Sequence, residues 1–179
     1  MKKNDLIKII FLHLAIVLVF VLIDKTYFFF PSDQYLEDNF RANRADFERL
    51  ITIIQEDNQL IRVSKNGELP DIAYQKNENI ISKERLNEYQ SLLNKVNVLN
   101  IRVDRDNKID NSNFSKIEFL VYESKGWMLG MGGTYKYYIF TQQPPERLSD
   151  SLDKLKSSGN EGFAYKKISE NWYFCLDIW

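Results

Sequence analysis

His13 is the sole histidine of this 179-residue chain and Cys175 its sole cysteine, and together they bound its chemistry. His13 falls inside an apolar run near the amino terminus, so everything downstream lacks an imidazole to act as general base, zinc ligand or pH switch. One cysteine rules out an intramolecular disulfide and every multi-cysteine metal site. Cys175 alternates with the apolar positions of its segment and is expected to be a buried, inert thiol. Gly126, Gly130, Gly132 and Gly133 suggest a phosphate loop, but the chain has no GxxxxGK[ST] or GxGxxG, and these glycines lead into a strand. They fit a bent hairpin better. Asp104, Asp106 and Asp110 have calcium-like spacing, yet a loop begun at Asp104 would put Lys108 at a ligand position, Ile109 at the required glycine and Ser115 at the bidentate glutamate. A solvated turn is the expectation there. Glu118 and Glu123 have opposite parity along a strand, so they are expected on opposite faces and not as a catalytic pair.

Five tyrosines, Tyr122, Tyr135, Tyr137, Tyr138 and Tyr173, could form an aromatic platform for a sugar or a protein, or could simply pack on a sheet. The segment Trp127, Met128, Leu129 and Met131, bracketed by glycines, together with Tyr135 and Tyr137, is the candidate contact surface for a protein partner; core packing is the competing explanation. No catalytic, metal or cofactor set emerges, and the chain is expected not to be an enzyme. With 24 Lys and Arg against 25 Asp and Glu, the net charge of -1 gives no footprint for nucleic acid.

The elements that must position these residues begin with a membrane anchor. Residues 6–23 read LIKIIFLHLAIVLVFVLI, with Lys8 and His13 the only polar side chains, and as a helix would be about 27 Å long, enough to cross a bilayer. Lys2, Lys3 and Lys8 lie ahead of or at the entry to this run, which predicts a cytoplasmic amino terminus. No small-residue cleavage site follows, and Tyr27, Phe28, Phe29 and Phe30 suit the outer interface. The expected organisation is a cytoplasmic tail over 1–5, an uncleaved transmembrane signal anchor over 6–30, and a periplasmic α+β domain over 31–179 of a bacterial inner-membrane protein. Removing residues 1–30 takes away four lysines and two aspartates and leaves the exported part at net -3.

Within that domain, Ser32 is a predicted N-cap for a helix running to about Asp57, whose Leu36, Phe40, Phe47, Leu50, Ile51 and Ile54 form one apolar stripe. Glu37/Arg41 and Arg44/Glu48 would pair beside the stripe. Leu60 to Val63 is strand-like, and Asn66-Gly67 turns. A second helix runs from Ser82 to about Val96, with Leu86, Tyr89, Leu93 and Val96 on one face. The period then becomes two: strands are predicted around Ile101 to Asp104 and Ile117 to Tyr122, with a tight hairpin turn at Lys125-Gly126 and Trp127, Leu129 and Met131 on one face beyond it. Thr134 to Phe140 resumes a strand that Pro144-Pro145 ends, a helical turn falls within Leu148 to Leu155, and Phe163 to Ile168 with Trp172 to Ile178 make a last hairpin around Ser169 to Asn171. The fold class is α+β, two amphipathic helices on one face of a mostly antiparallel sheet of about five strands.

Phe40, Asn43, Arg44, Phe47 and Leu50, then Arg85, Glu88, Tyr89 and Leu92, then Ile117, Glu118 and Phe119, then Gly133, Tyr135 and Tyr137, and the ending Ile168, Asn171, Trp172 and Tyr173 carry a likeness over most of residues 36 to 174. In these the chain resembles an uncharacterised family of small bacterial envelope proteins, lipoprotein-like or membrane-anchored, with a C-terminal Asn-Trp-Tyr strand. Members often carry a lipoprotein signal, and this chain departs by lacking the lipobox cysteine. The resemblance implies a bacterial envelope location and brings no activity. The functional expectation is therefore an anchored periplasmic protein-binding domain, most concretely an immunity-type inhibitor of an envelope-targeting toxin. A non-enzymatic envelope assembly or structural protein and a glycan-binding module are the alternatives.

Overall fold

The structure, a computed structural model, describes residues 13–14, 30–66, 71–72, 81–105, 114–125, 133–158 and 161–179. The chain divides into two compact units, Met1–Pro31 and Ser32–Trp179. In the first, His13 and Leu14 are helical and exposed; most of the predicted anchor, including Lys8 and Tyr27 to Phe29, lies outside the described residues. Among those described, no helix is long and apolar enough to cross a membrane.

The second unit is α+β. Helix α1 (Asp33–Ala42) begins where expected, with the Ser32 hydroxyl accepting from the Tyr35 N–H at 3.1 Å. The apolar stripe is correct, but its single long helix is two: α2 (Arg44–Glu56) starts after a break at Asn43, whose φ of -115° and ψ of 22° leave the helical region. The Asn43 side chain donates to Asn39 O and Asn39 Oδ1, the local back-bonding by which asparagine competes with a regular helix. The Phe47 N–H still reaches Asn43 O, so the break is a kink that lets Leu36, Phe40, Phe47 and Leu50 all face the core. Arg44 pairs with Glu48 as expected; Arg41 instead approaches Asp38, and Glu37 is taken by Lys166.

Helix α3 (Lys83–Lys95) is capped by Ser82 through the Arg85 N–H and buries Tyr89, Leu92 and Leu93. The Tyr89 hydroxyl donates to Asp57 at 2.9 Å, and Arg85 and Arg49 converge on Glu88, binding α2 to α3. The Arg105 guanidinium donates to the carbonyls of Ile54 and Asp57, at the end of α2 where no helical partner follows, and to that of Leu60 beyond the helix.

The sheet has seven strands, against about five expected: β1 (Leu60–Ser64), β2 (Asp71–Ile72), β3 (Asn100–Arg105), β4 (Phe114–Lys125), β5 (Gly133–Thr141), β6 (Gly162–Ser169) and β7 (Trp172–Ile178). Their order is β2-β1-β3-β4-β5-β7-β6, and every pairing is antiparallel. The short strand-like piece at Leu60 therefore joins the sheet, and the last strand is inserted between β5 and β6. Lys125, the first residue of the predicted Lys125-Gly126 turn, is still in β4 and pairs with Gly133, while Gly126 lies outside the described residues. Trp127, Met128, Leu129 and Met131 lie outside them as well. Helix α4 (Leu152–Ser158) begins later than the predicted turn, and Leu148 instead bridges to Tyr165 on the outer edge of β6.

One face of the sheet packs on the helices. Trp172 lies 5.0 to 5.5 Å, ring to ring, from Phe40, Phe47, Phe119 and Phe140. Phe47 contacts Tyr138 at 4.7 Å, and Tyr138 contacts Phe174. Buried in the same face is Lys136, whose ammonium donates to Asp33 at 2.9 Å and to Asp153 at 3.0 Å. Asp33 also accepts from the Leu152 N–H at 2.9 Å. One charged cluster thus fixes the start of α1, strand β5 and the start of α4.

Candidate functional site on the open sheet face

The other face of the sheet has no described helix over it, and the strand register lays its residues out in rows. One row reads Arg62, Arg102, Glu118, Ile139, Tyr173 and Lys167; the next reads Asn100, Leu120, Tyr137, Cys175 and Tyr165; the third reads Glu123, Tyr135, Asp177 and Phe163. The third row exists because of an irregularity in β4. Between Leu120 and Tyr122 the register shifts, so that Tyr122 opposes Lys136 on the helix face and Glu123 opposes Tyr135 on the open face. An extra residue in a strand reverses the parity of everything beyond it. Glu118 and Glu123, expected on opposite faces, are therefore on the same one. Both line an open concavity of about 360 Å³ with Arg62, Arg102, Tyr135 and Tyr137.

The five tyrosines separate. Tyr138 is buried on the helix face, its hydroxyl donating to Leu36 O. Tyr122 shares the helix face with Lys156, whose ammonium is 5.9 Å from the ring centre. Tyr173 is buried on the open side with Ile139 and Cys175, and Tyr137 and Tyr165 pack over that patch. Only Tyr135 and Tyr137 remain as a platform. They stack at 6.3 Å, and Tyr135 stacks in turn on Trp179 at 6.1 Å. Trp179 is held there by paired backbone hydrogen bonds with Gly133. A Cβ on Gly133 would come within 2.8 Å of the Tyr135 ring, so the glycine is what lets that ring lie back against the strand.

The electrostatics divide the face. Toward β3, Asp104 pairs with Lys116 and Arg102, and Lys116 pairs with Glu118 at 2.7 Å. Burial works against the Lys116 charge, but Glu118 and Asp104 more than offset it and raise its pKa. Asp104 is thus committed to ion pairs; Asp106 and Asp110 lie outside the described residues, among which no group of three His, Cys, Asp or Glu could hold a metal ion. Toward β7 the balance reverses. Burial and the nearby Glu118 charge push the Asp177 carboxyl above the usual aspartate range. Burial, then Glu118 and Asp177, push the Tyr137 phenol well up, and Tyr165 is pushed up to about 12. The Cys175 thiol, buried and facing the same carboxylates, is pushed up to about 12 and stays protonated, as its expected inertness requires.

Of the six candidate contact residues, the structure describes Tyr135 and Tyr137 and places them side by side on this face. Asp177 and Trp179 join them unannounced, although Asp177 has the parity of Cys175 and so was placeable opposite the apolar set. Comparison of the chain with protein-family models, with curated proteins and with solved structures finds no match.

Proposed function

We propose that this chain is a non-catalytic binding domain of the bacterial envelope, held to the inner membrane by residues 6–30 and docking a protein partner through its open sheet face. The observation that carries this reading is the row of stacked rings Tyr137, Tyr135 and Trp179, flanked by charged side chains, on a sheet face with no described helix over it. Aromatic anchors with a polar rim are the composition that concentrates binding energy at protein interfaces. An anchored binder also gains effective concentration where its target acts. In its most concrete form the partner is a toxin delivered to the envelope and the chain is its immunity-type inhibitor.

The test is a photo-crosslinking amino acid at position 179 of the full-length chain in living cells, read by mass spectrometry, beside a deletion strain challenged by sibling cells. Capture of a secreted toxin, loss of capture with Tyr135→Ala, and killing of the deletion strain are the expected results. Capture of only divisome or wall-synthesis proteins by an unaffected deletion strain would replace the inhibitor with an assembly role. Saturable glycan binding lost with Tyr135→Ala, with no protein captured, would replace both.

A further inference from the structure

We infer that residues 147–158 form a strap that opens as one unit while the rest of the domain stays folded, baring the outer edge of β6.

β6 is the last strand of the sheet, and the strap touches its outer edge before turning into α4. The attachment at that edge is short. Leu148 bridges to Tyr165 between two backbone hydrogen bonds, Tyr165 N–H to Arg147 O at 2.8 Å and Ser149 N–H to Tyr165 O at 2.7 Å. The Arg147 guanidinium stands 4.8 Å from the centre of the exposed Phe163 ring, and further along the Lys156 ammonium stands 5.9 Å from that of Tyr122. Leu148 itself is 56% exposed, so the bridge brings little burial with it. Over residues 147–157 the one buried side chain is Leu152. A helix of seven residues does not hold itself together without packing.

The strap is closed by a latch of charge at its middle, where α1 and α4 cap each other. The Asp33 N–H donates to Asp153 Oδ2 at 2.9 Å, and the Leu152 N–H donates to Asp33 Oδ2 at 2.9 Å. The Ser151 hydroxyl reaches the same Asp33 oxygen at 3.3 Å, and the enclosed Lys136 ammonium donates to the other oxygen of each carboxylate. Lys166, 3.8 Å from Asp33 and paired with Glu37, joins the group from β6. Such a latch fixes position at small net energy, because the enclosed ions regain hydration when the strap lifts. Segments that lose few apolar contacts on opening are the ones that open locally. The rings of Trp172, Tyr138 and Phe174, by contrast, are buried against other rings and are held by the whole domain. Opening leaves the Tyr165 N–H and C=O on a bare edge strand, the groups with which another extended chain pairs. The strap thus occupies the place that an added strand would take.

The experiment follows hydrogen exchange of the full-length chain in nanodiscs at low urea, with single amides resolved by fragmentation in the mass spectrometer. The Ser149, Leu152 and Tyr165 amides should share one protection factor, at least about ten-fold below that of Tyr138 and Phe174, and with a smaller urea dependence because little surface is exposed. Asp153→Ala removes the acceptor of the Asp33 N–H and one carboxylate facing Lys136. It should lower that shared protection about ten-fold further and leave Tyr138 and Phe174 unchanged, with Asp153→Asn, which keeps an acceptor, in between. Strap amides as protected as Tyr138 and Phe174, with the same urea dependence, would overturn the inference, and this comparison needs only the unmodified sequence. A loss in Asp153→Ala spread equally over all five amides would overturn it too. So would different protection at Ser149 and Leu152, which would make the edge contact and the latch independent.

Discussion

The helix side of the sheet presents Ile117, Phe119, Tyr138, Trp172 and Phe174, all at most 1% exposed, while the same strands present Glu118, Tyr135, Tyr137 and Asp177 on the other side. Both faces are rich in aromatic rings, so residue type alone does not separate them. The difference lies in what the rings touch. On the helix face they meet other rings from two layers, and the energy is that of burial. On the open face Tyr137 and Tyr165 fold down over Ile139, Tyr173 and Cys175, which closes part of the face with its own side chains and leaves Tyr135 and Trp179 beside carboxylates. One face is built to be dry and the other to be met.

The largest effect that would break this contrast is at Trp172, which touches four other rings. Trp172→Ala should cost about 3 to 5 kcal/mol in chemical denaturation, the range for truncating a buried large aromatic. Tyr135→Ala, at a half-exposed position, should cost under about 1 kcal/mol. Similar losses at the two sites would mean that the open face is as much a core as the helix face.

Next in size is the charge buried within the apolar face. Burial alone would raise the Asp33 carboxyl, but the hydrogen bond and charge of Lys136, the Leu152 N–H and Lys166 outweigh it and hold it below the ordinary aspartate range. Asp33→Ala removes one of the carboxylates that face the fully enclosed Lys136 ammonium, and should cost about 3 kcal/mol. Because the folded carboxyl titrates lower than the unfolded one, this stabilisation is present above the unfolded pKa and is lost as pH falls through the folded value. The gap between wild type and Asp33→Asn should therefore close on acidification below the usual aspartate range, and a gap that widened there would sink the assignment.

How legible these two faces are in the sequence follows from the same chemistry. The helix face follows from period two in Ile117/Phe119, Tyr138/Phe140 and Trp172/Phe174, and both serine caps are visible because a hydroxyl just ahead of an apolar-periodic run has one good use. Lys136 was hidden only by its charge: its parity is that of Tyr138, and its partners arrive from residues 33 and 153, which strand periodicity cannot bring together. The open face depends on register. Glu123 reaches it through the shift after Leu120, in a stretch whose residue types carry no bulge signature, and parity counted along an unbroken strand gives the wrong side. The insertion of β7 between β5 and β6 is also non-local, and it is what sets Asp177 beside Tyr135.

A smaller effect tests the geometry of the ring row. Gly133→Ala places a methyl 2.8 Å from the Tyr135 ring and 3.2 Å from the Ser124 carbonyl oxygen, and the ring is the part able to swing away. The expected outcome is a stability loss under about 1 kcal/mol, with a clear change in the Trp179 indole signal as its stacking on Tyr135 is disturbed. An unchanged indole signal would show that the stack does not depend on this glycine.

The smallest effect concerns Asp177, and its sign separates the two faces most sharply. On the helix face, neutralising Asp33 must destabilise, because its charge is compensated. On the open face burial and Glu118 raise the Asp177 carboxyl, so the folded state holds the charged form less well than the unfolded chain does. A raised carboxyl imposes a penalty that sets in as pH rises from the unfolded pKa to the folded one and is constant above it. Asp177→Asn should therefore raise the denaturation midpoint slightly at neutral pH, with the advantage disappearing in acid. A lower midpoint for Asp177→Asn at neutral pH would instead make Asp177 a structural residue of the sheet and erase the difference in sign between the two faces.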